Sequence, residues 1–361
     1  MRDLPMSRTK KRKATKKPAA KKKAEKKRPS TVPRKPDGTI DWRRYNEALK
    51  ERGNVTFWIE KEKLERWLEE PEVKTQGGQR VYSDTAIACV LTIRSVFHLA
   101  LRQAERFCRS LLSEMKQDLP TPNYTTLSRR CGDLIVPCSR SLPKGALNIV
   151  VDSTGIKVYG EGEWKVRQHG WSQRRTWLKL HLAVDAETQE ICATVVSSSD
   201  VSDDEAFGPL IHSINDDLAS VGGDGAYDKA GVRERIEARG ATPRIPPRRD
   251  AQLQKKAASS PERQRALDKR DEAIRRIEKL RRTQTSGNLG EARKLWKQET
   301  HYHCRSLAET AMYRYKTIFG GTVRARRFNN QTKELCLNIV AMNKMTSLGL
   351  PSTLAKQSAA R

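Results

Sequence analysis

From Trp177 to Asp185 apolar and polar positions alternate without a break. Leu178, Leu180, Leu182 and Val184 fall on one side, Lys179 and His181 on the other, which predicts a β-strand with one face in a core. Upstream, Leu147 to Val151 is a continuous apolar strand that ends on Asp152. Downstream, Ile191 to Val196 reads as a third strand, hairpinned to the second through Glu187 and Thr188. Ser202-Asp203-Asp204-Glu205 has the spacing of a capping box and opens a helix through Leu210, Ile211 and Ile214. Ala219 to Val221 is a fourth strand running into the turn-rich GGDGAYD of residues 222–228. A helix from Lys229 to Arg239 and a fifth strand at Thr242 to Ile245 follow. The pattern predicts an α/β fold with a mixed five-stranded sheet and flanking helices.

Before residue 143 the period is helical. A helix is expected from Tyr45 to Arg52, a short apolar run at Thr56 to Ile59, an amphipathic helix from Glu60 to Glu69 and a turn at Gly77-Gly78. Ser83 caps a helix carrying Ile87, Val90, Leu91 and Ile93, and a second apolar series runs from Leu99 to Leu112. After Pro120 and Pro122, Asn123 opens a short helix that ends with Arg129 and Arg130 exposed. This suits a helix-turn-helix DNA reader or, equally, a helical bundle with a basic face. Residues 250–300 are polar and should form exposed helices, a hairpin broken at Ser286-Gly287-Asn288. Leu335 to Met345 should be an apolar helix packed on the sheet. The expected organisation is a disordered Lys-rich tail (1–36), a mostly helical DNA-binding domain (37–142), an α/β domain (143–350) with the 250–300 insertion, and a tail (351–361).

Charge sharpens this picture. The net charge is +28 and the pI about 10.0, which favours a polyanionic partner, most simply DNA. Within the first 36 residues the Lys-rich run RTKKRKATKKPAAKKKAEKKRP holds one acid, Glu25, and reads as a sequence-independent arm for a DNA backbone or merely a solubilising tail. Seven scattered cysteines without a CxxC pair speak against a disulfide framework or a zinc site and fit a reducing cytosol. His301, His303 and Cys304 are rejected as a metal cluster, since 301 and 303 point about 200° apart on a helix. No apolar run reaches membrane-span length.

The candidate chemistry is acidic. Asp152 ends a buried strand, Asp224 sits in a Gly-flanked loop after another, and Glu309 lies on a helix read from Tyr302 to Lys316. Strand ends are where open α/β sheets gather their sites. Carboxylates converging there repel one another unless a hard cation such as Mg²⁺ or Mn²⁺ joins them. On that helix Tyr302, Arg305, Glu309 and Lys316 fall within roughly a 60° arc, at about 100° per residue, so one acid shares a stripe with two cations and a phenol. On the helix alone, a solvated ion-pair face is the plainer reading. Asp203 and Asp204 read as helix-start residues and Asp228 as an N-cap, all three second choices for metal duty, and Asp185 and Asp200 as turn residues. Between the first two strands, Lys165, Arg167, His169, Arg174 and Arg175 interleave with three tryptophans, suiting a DNA backbone and unstacked bases or a charge-protected strand edge.

The run from Asp152 to Asp185, the GGDGAYD loop, and Tyr302-Arg305-Glu309-Lys316, taken together, resemble the DDE transposases of bacterial insertion sequences, the insertion-sequence-five family in particular. The C-terminal spacing (Tyr, two residues, Arg, three, Glu, six, Lys) matches without departure, and the likeness spans roughly residues 41–350. The resemblance implies a ribonuclease H-like domain in which Asp152, Asp224 and Glu309 bind two Mg²⁺ or Mn²⁺ ions. Tyr302, Arg305 and Lys316 would position inverted-repeat DNA ends, a homo-oligomer would assemble on DNA, and residues 250–300 would be an insertion with DNA clamping as its expected role. It implies a bacterial cytoplasmic, nucleoid-associated protein without a small-molecule cofactor. The implied chemistry is metal-assisted attack of water on a phosphodiester, freeing a 3′ hydroxyl that attacks target DNA. The alternative is a non-catalytic DNA-binding protein, a decayed transposase or a basic chromatin-like factor.

Overall fold

A computed structural model describes residues 35–69, 80–136, 146–158, 177–254 and 259–348. The Lys-rich tail up to residue 34, the Gly77-Gly78 turn, the expected domain boundary at 142/143, the C-terminal tail, and Lys165, Arg167, His169, Arg174 and Arg175 lie outside the described residues.

Among the described residues six strands form one mixed sheet: β1 (Leu147–Val158), β2 (Trp177–Asp185), β3 (Ile191–Ser198), β4 (Leu218–Gly222), β5 (Thr242–Arg244) and β6 (Thr322–Val323). Their order is β3-β2-β1-β4-β5, with β6 added to β1. β1–β2–β3 is antiparallel, and β4, β5 and β6 run parallel to β1 or to each other. Two sequence expectations change here. The sheet has a sixth strand, too short at two residues to leave a pattern. β1 does not stop at Asp152 but continues to Val158, because β2 pairs with it as far as Lys157 opposite Trp177.

The continuous apolar run of β1 is explained by helices on both faces. Ile149, Val151, Ala183 and Ala193 pack with Phe207, Leu210 and Ile211 of α7 (Asp203–His212) and Val232 and Ile236 of α8 (Ala230–Ala238). Val150, Leu178, Leu180, Leu182 and Val184 point the other way, onto Ala308, Met312, Tyr315 and Phe319 of α11 (Ser306–Phe319) and onto α12 (Phe328–Leu348). The capping box that starts α7 is formed, with the Ser202 amide donating to Glu205.

The N-terminal helices are α1 (Trp42–Glu51), α2 (Val55–Trp58), α3 (Lys61–Glu65), α4 (Asp84–Val96), α5 (Leu101–Glu114) and α6 (Tyr124–Arg130). α1 begins earlier than expected because the Asp41 side chain caps it. The run Thr56 to Ile59 is a single helical turn, and α3 ends at Glu65, since Leu68 instead bridges Tyr82. Trp58, Trp67, Ile87, Val90 and Leu127 share one continuous apolar cluster with α11, α12 and the sheet. α12 is held to the sheet edge by Asn343, whose carboxamide accepts from the Ile191 amide at 2.8 Å and donates to the Ile191 carbonyl at 2.9 Å. No single described helix is long and apolar enough to cross a membrane.

α9 (Pro261–Thr283) and α10 (Leu289–Glu299) form the polar hairpin, turned through Ser286 and Gly287 at positive φ and holding a small cluster of Ile277, Leu280, Ala292 and Trp296. Lys269 of α9 pairs with Glu237 of α8 at 2.6 Å, fastening the hairpin beside the sheet.

Candidate active site

The parallel register of β1 and β4 ends at Val150 opposite Gly222. Asp152 and Asp224 each stand two residues beyond that pair, Asp152 still within β1 and Asp224 just past the end of β4, on neighbours with a strand spacing of about 4.8 Å. Gly223 lets the chain leave β4 in close contact with its neighbours: a Cβ there would meet the Tyr227 ring at 3.0 Å and Val151 at 3.2 Å. Asp224 is extended and accepts from the Ala226 amide at 2.8 Å, while Asp152 is half-buried and accepts from the Ser153 amide at 2.9 Å.

Tyr302 and Arg305 are brought to this point by a tight turn rather than by one long helix. His301 adopts a left-handed conformation (φ 56°), residues Tyr302–Arg305 form a 3₁₀ turn, and the α-helix proper starts at Ser306. The shared stripe nevertheless forms where it matters. The Arg305 guanidinium reaches Asp152 Oδ2 at 3.5 Å with Nη2 and Glu309 Oε1 at 2.9 Å with Nη1, bridging strand and helix. Glu309 is exposed, and Lys316 lies exposed two turns further along α11.

The electrostatics register this crowding. Burial holds the Asp152 carboxyl above the usual carboxylate range; the Ser153 amide and Arg305 pull it down, and Asp224 and Glu309 push it up. Burial opposes the charge on Arg305, but Tyr302, Asp152, Glu309 and Asp224 outweigh it and raise that group. Burial raises the Tyr302 hydroxyl against the pull of Arg305. Among the described residues no three His, Cys, Asp or Glu side chains converge as a preformed metal cage, and a guanidinium lies between two of the three acids. The donor set still fits a hard divalent cation: it is all carboxylate oxygen, and its members repel one another at one strand end.

Behind this centre stands a second row: Asp203, the helix-start residue that opens α7, is joined to His181, Ser153 and Tyr227, which the sequence did not single out. Asp203 accepts from the Ser153 hydroxyl at 2.8 Å and lies 3.6 Å from the buried His181, whose other nitrogen meets the Ser197 hydroxyl at 2.9 Å. Burial lowers the proton affinity of His181 more than Asp203 raises it. Tyr227 is buried with its hydroxyl unpartnered, and burial, Asp203, Asp152 and Asp224 all raise it. Its place three residues after Asp224 was the available signal. Two expectations are corrected. Asp228 is not an N-cap: Lys229 holds that position, while Asp228 is buried and accepts from Arg233, Arg270 and the Arg248 amide. Arg130 is not exposed, because it is turned inward onto Asp84 and the Tyr82 carbonyl; Arg129 does face solvent.

Two family models, both described as a transposase DDE domain, match this chain, one over residues 143–344 and the other over residues 50–161. The first contains β1, β4 and α11 together with Asp152, Asp224 and Glu309, and it alone covers more than half of the chain. With a mixed sheet that sets one acid within β1, a second just past the end of the neighbouring parallel β4 and a third on a helix beside them, the chain belongs to the DDE transposase family.

Proposed function

We propose that this chain is the transposase of a bacterial insertion sequence, of the insertion-sequence-five family, and that Asp152, Asp224 and Glu309 are its catalytic carboxylates. The observation that carries the reading is the pairing of Asp152 and Asp224 beyond the β1–β4 register, with Arg305 linking Asp152 to Glu309. The three acids would hold Mg²⁺ or Mn²⁺, two ions in the full reading. When bound, such ions supply Lewis-acid assistance to the attacking and leaving oxygens at phosphorus.

The chain's own residues do the rest. Asp152 sits deeper than Glu309, so its position is set by β1 and β2, while the exposed Glu309 can adjust. Arg305 neutralises part of the acidic charge in the ion-free protein and lies beside the point where a scissile phosphate would arrive. Tyr302 and the exposed Lys316 extend that surface for the DNA backbone, and Arg129 is a further exposed cation on the N-terminal helices. Attack of water breaks the bond between phosphorus and the 3′ oxygen, leaving a 3′ hydroxyl on the element end. The same centre then directs that hydroxyl to a phosphodiester of target DNA.

The test uses duplex DNA carrying the repeats that flank the reading frame. Asp152→Ala should abolish Mg²⁺-dependent cleavage and joining while leaving end binding in a mobility-shift assay intact. Cleavage retained by that variant overturns the assignment.

A further inference from the structure

The helical hairpin does more than decorate the sheet: it walls a cavity of about 680 Å³ against the turn that carries Tyr302. Arg249, from the segment after β5, and Arg293, Lys294 and Lys297 of α10 line it together with Leu289 and Tyr302. No carboxylate is among the lining residues. The carboxylate that acts on Arg293 is that of Asp228, which is already engaged by Arg233 and Arg270. Arg293 is aimed by bonds to the backbone carbonyls of Pro247 and Arg248. The Lys297 ammonium sits 4.9 Å from the centre of the Tyr302 ring. Burial and then the neighbouring Arg293, Arg305 and Arg249 work against the charge on Lys297, and burial and Arg249 against that on Arg293. Four cations are thus held close together without a counter-charge on the walls. A site in this state gains most from an anion that several of them share.

The size and the position say which anion. The volume falls in the roughly 300–1,000 Å³ range of sites that enclose a ligand group, which is more than one ion needs. Tyr302 is common to the cavity and to the acidic centre, where it feels Asp224, Asp152 and Arg305. The N-terminus of α10 is not the attraction, since the Asn288 side chain already accepts from its first free amides at 2.9 and 3.2 Å. We infer that this cavity is a backbone subsite, in which Arg249, Arg293, Lys294 and Lys297 grip a phosphodiester of the cut strand adjacent to the scissile phosphate, with its sugar against Leu289 and Tyr302. The inference rests on the transposase reading above and explains why the hairpin stands where it does. It fixes the strand on one side of the three acids, so that the bond to be cut stays over them.

The experiment uses the full chain in an Asp224→Ala background, so that binding is read without cutting, and a duplex carrying the flanking repeat as probe. Lys294→Gln/Lys297→Gln should weaken binding by about tenfold and lower the slope of log affinity against log salt by about 1, the value of one phosphate contact. A neutral methylphosphonate walked along the strand should weaken the parent at one or two positions beside the scissile bond and leave the double variant unaffected there. Lys61→Gln, an exposed cation away from the cavity, is the control. Should the double variant melt early, the exposed Lys294→Gln alone carries the same prediction with a smaller slope change. An unchanged slope, a loss no greater than in the control, or a methylphosphonate effect that persists in the variant overturns the subsite. Mg²⁺-dependent nicking by the unsubstituted chain is scored separately. Nicking with an unchanged slope removes only the subsite, whereas a lowered slope without nicking keeps the subsite and removes the enzyme.

Discussion

Asp228→Asn tests an acid held by arginines, in the same loop as the proposed metal ligand Asp224. The Asp228 side chain is 0% exposed and that of Arg233 is 1% exposed, with Arg233 Nε at 2.8 Å from Oδ1. Arg270 adds a second guanidinium at 3.2 Å, and the Arg248 amide reaches the other oxygen at 2.8 Å. An asparagine fits the same space but removes the carboxylate paired with the buried Arg233 and one of the two near Arg270, the other being Asp271 at 3.9 Å. Breaking a buried pair from one side costs about 3–5 kcal/mol. At about 2–4 °C per kcal/mol for a domain of 150–250 residues, the melting temperature should fall on the order of 6–20 °C. Urea melts followed by circular dichroism give the free energy directly. The loss should be the same with EDTA and with Mg²⁺, because Asp228 faces Arg233 and not the acidic centre. Changing Arg233 as well, to Leu, should recover part of the loss, since the buried charge left behind is what costs. A loss below about 1 kcal/mol, or one that appears only when metal is present, refutes the reasoning.

Arg305→Gln leaves Asp152 and Glu309 without their bridge, so thermal stability in EDTA should fall by about 1–2 kcal/mol and be regained on adding Mn²⁺; a fall that Mn²⁺ does not touch would count against a shared cation. Asn343→Leu removes the carboxamide that bonds both the amide and the carbonyl of Ile191 at the β3 edge and should cost about 1–3 kcal/mol in urea melts. Burial pushes the thiols of Cys89 and Cys131 up to about 11 and that of Cys108 up to about 12. All three stay protonated at pH 8, so alkylation mapped by mass spectrometry should mark them only after unfolding; native labelling of Cys108 would contradict its burial.

The strands of the sheet were legible because their burial alternates or is complete, and a period of two survives in sequence. Asp152 and Asp224 could be singled out as acids that close apolar runs, although β1 itself runs on past Asp152 to Val158. What placed them together, the register that stops at Val150 and Gly222, is a long-range fact with no local trace. The stripe of Tyr302, Arg305 and Glu309 was readable as spacing, but the left-handed His301 was not, since nothing in its neighbours announces a positive φ. Asp228 misled because an acid before a helix is an N-cap in most settings; its true partners lie five residues on, in α8, and in a helix some forty residues away. The basic cavity was hidden for a similar reason. Arg249 and the cations of α10 are separate in the chain and read only as polar insertion.

The cluster that joins Ile87 and Val90 of α4 to Leu335 and Met342 of α12 also bears on how the chain is made. The two helices are separated by more than two hundred residues of translation. At about 5–20 residues per second, α4 waits on the order of 10–50 s on the ribosome for the surface that covers it. Nascent chains stopped short of residue 328 would leave the part of α4 that α12 covers exposed to chaperones and proteases.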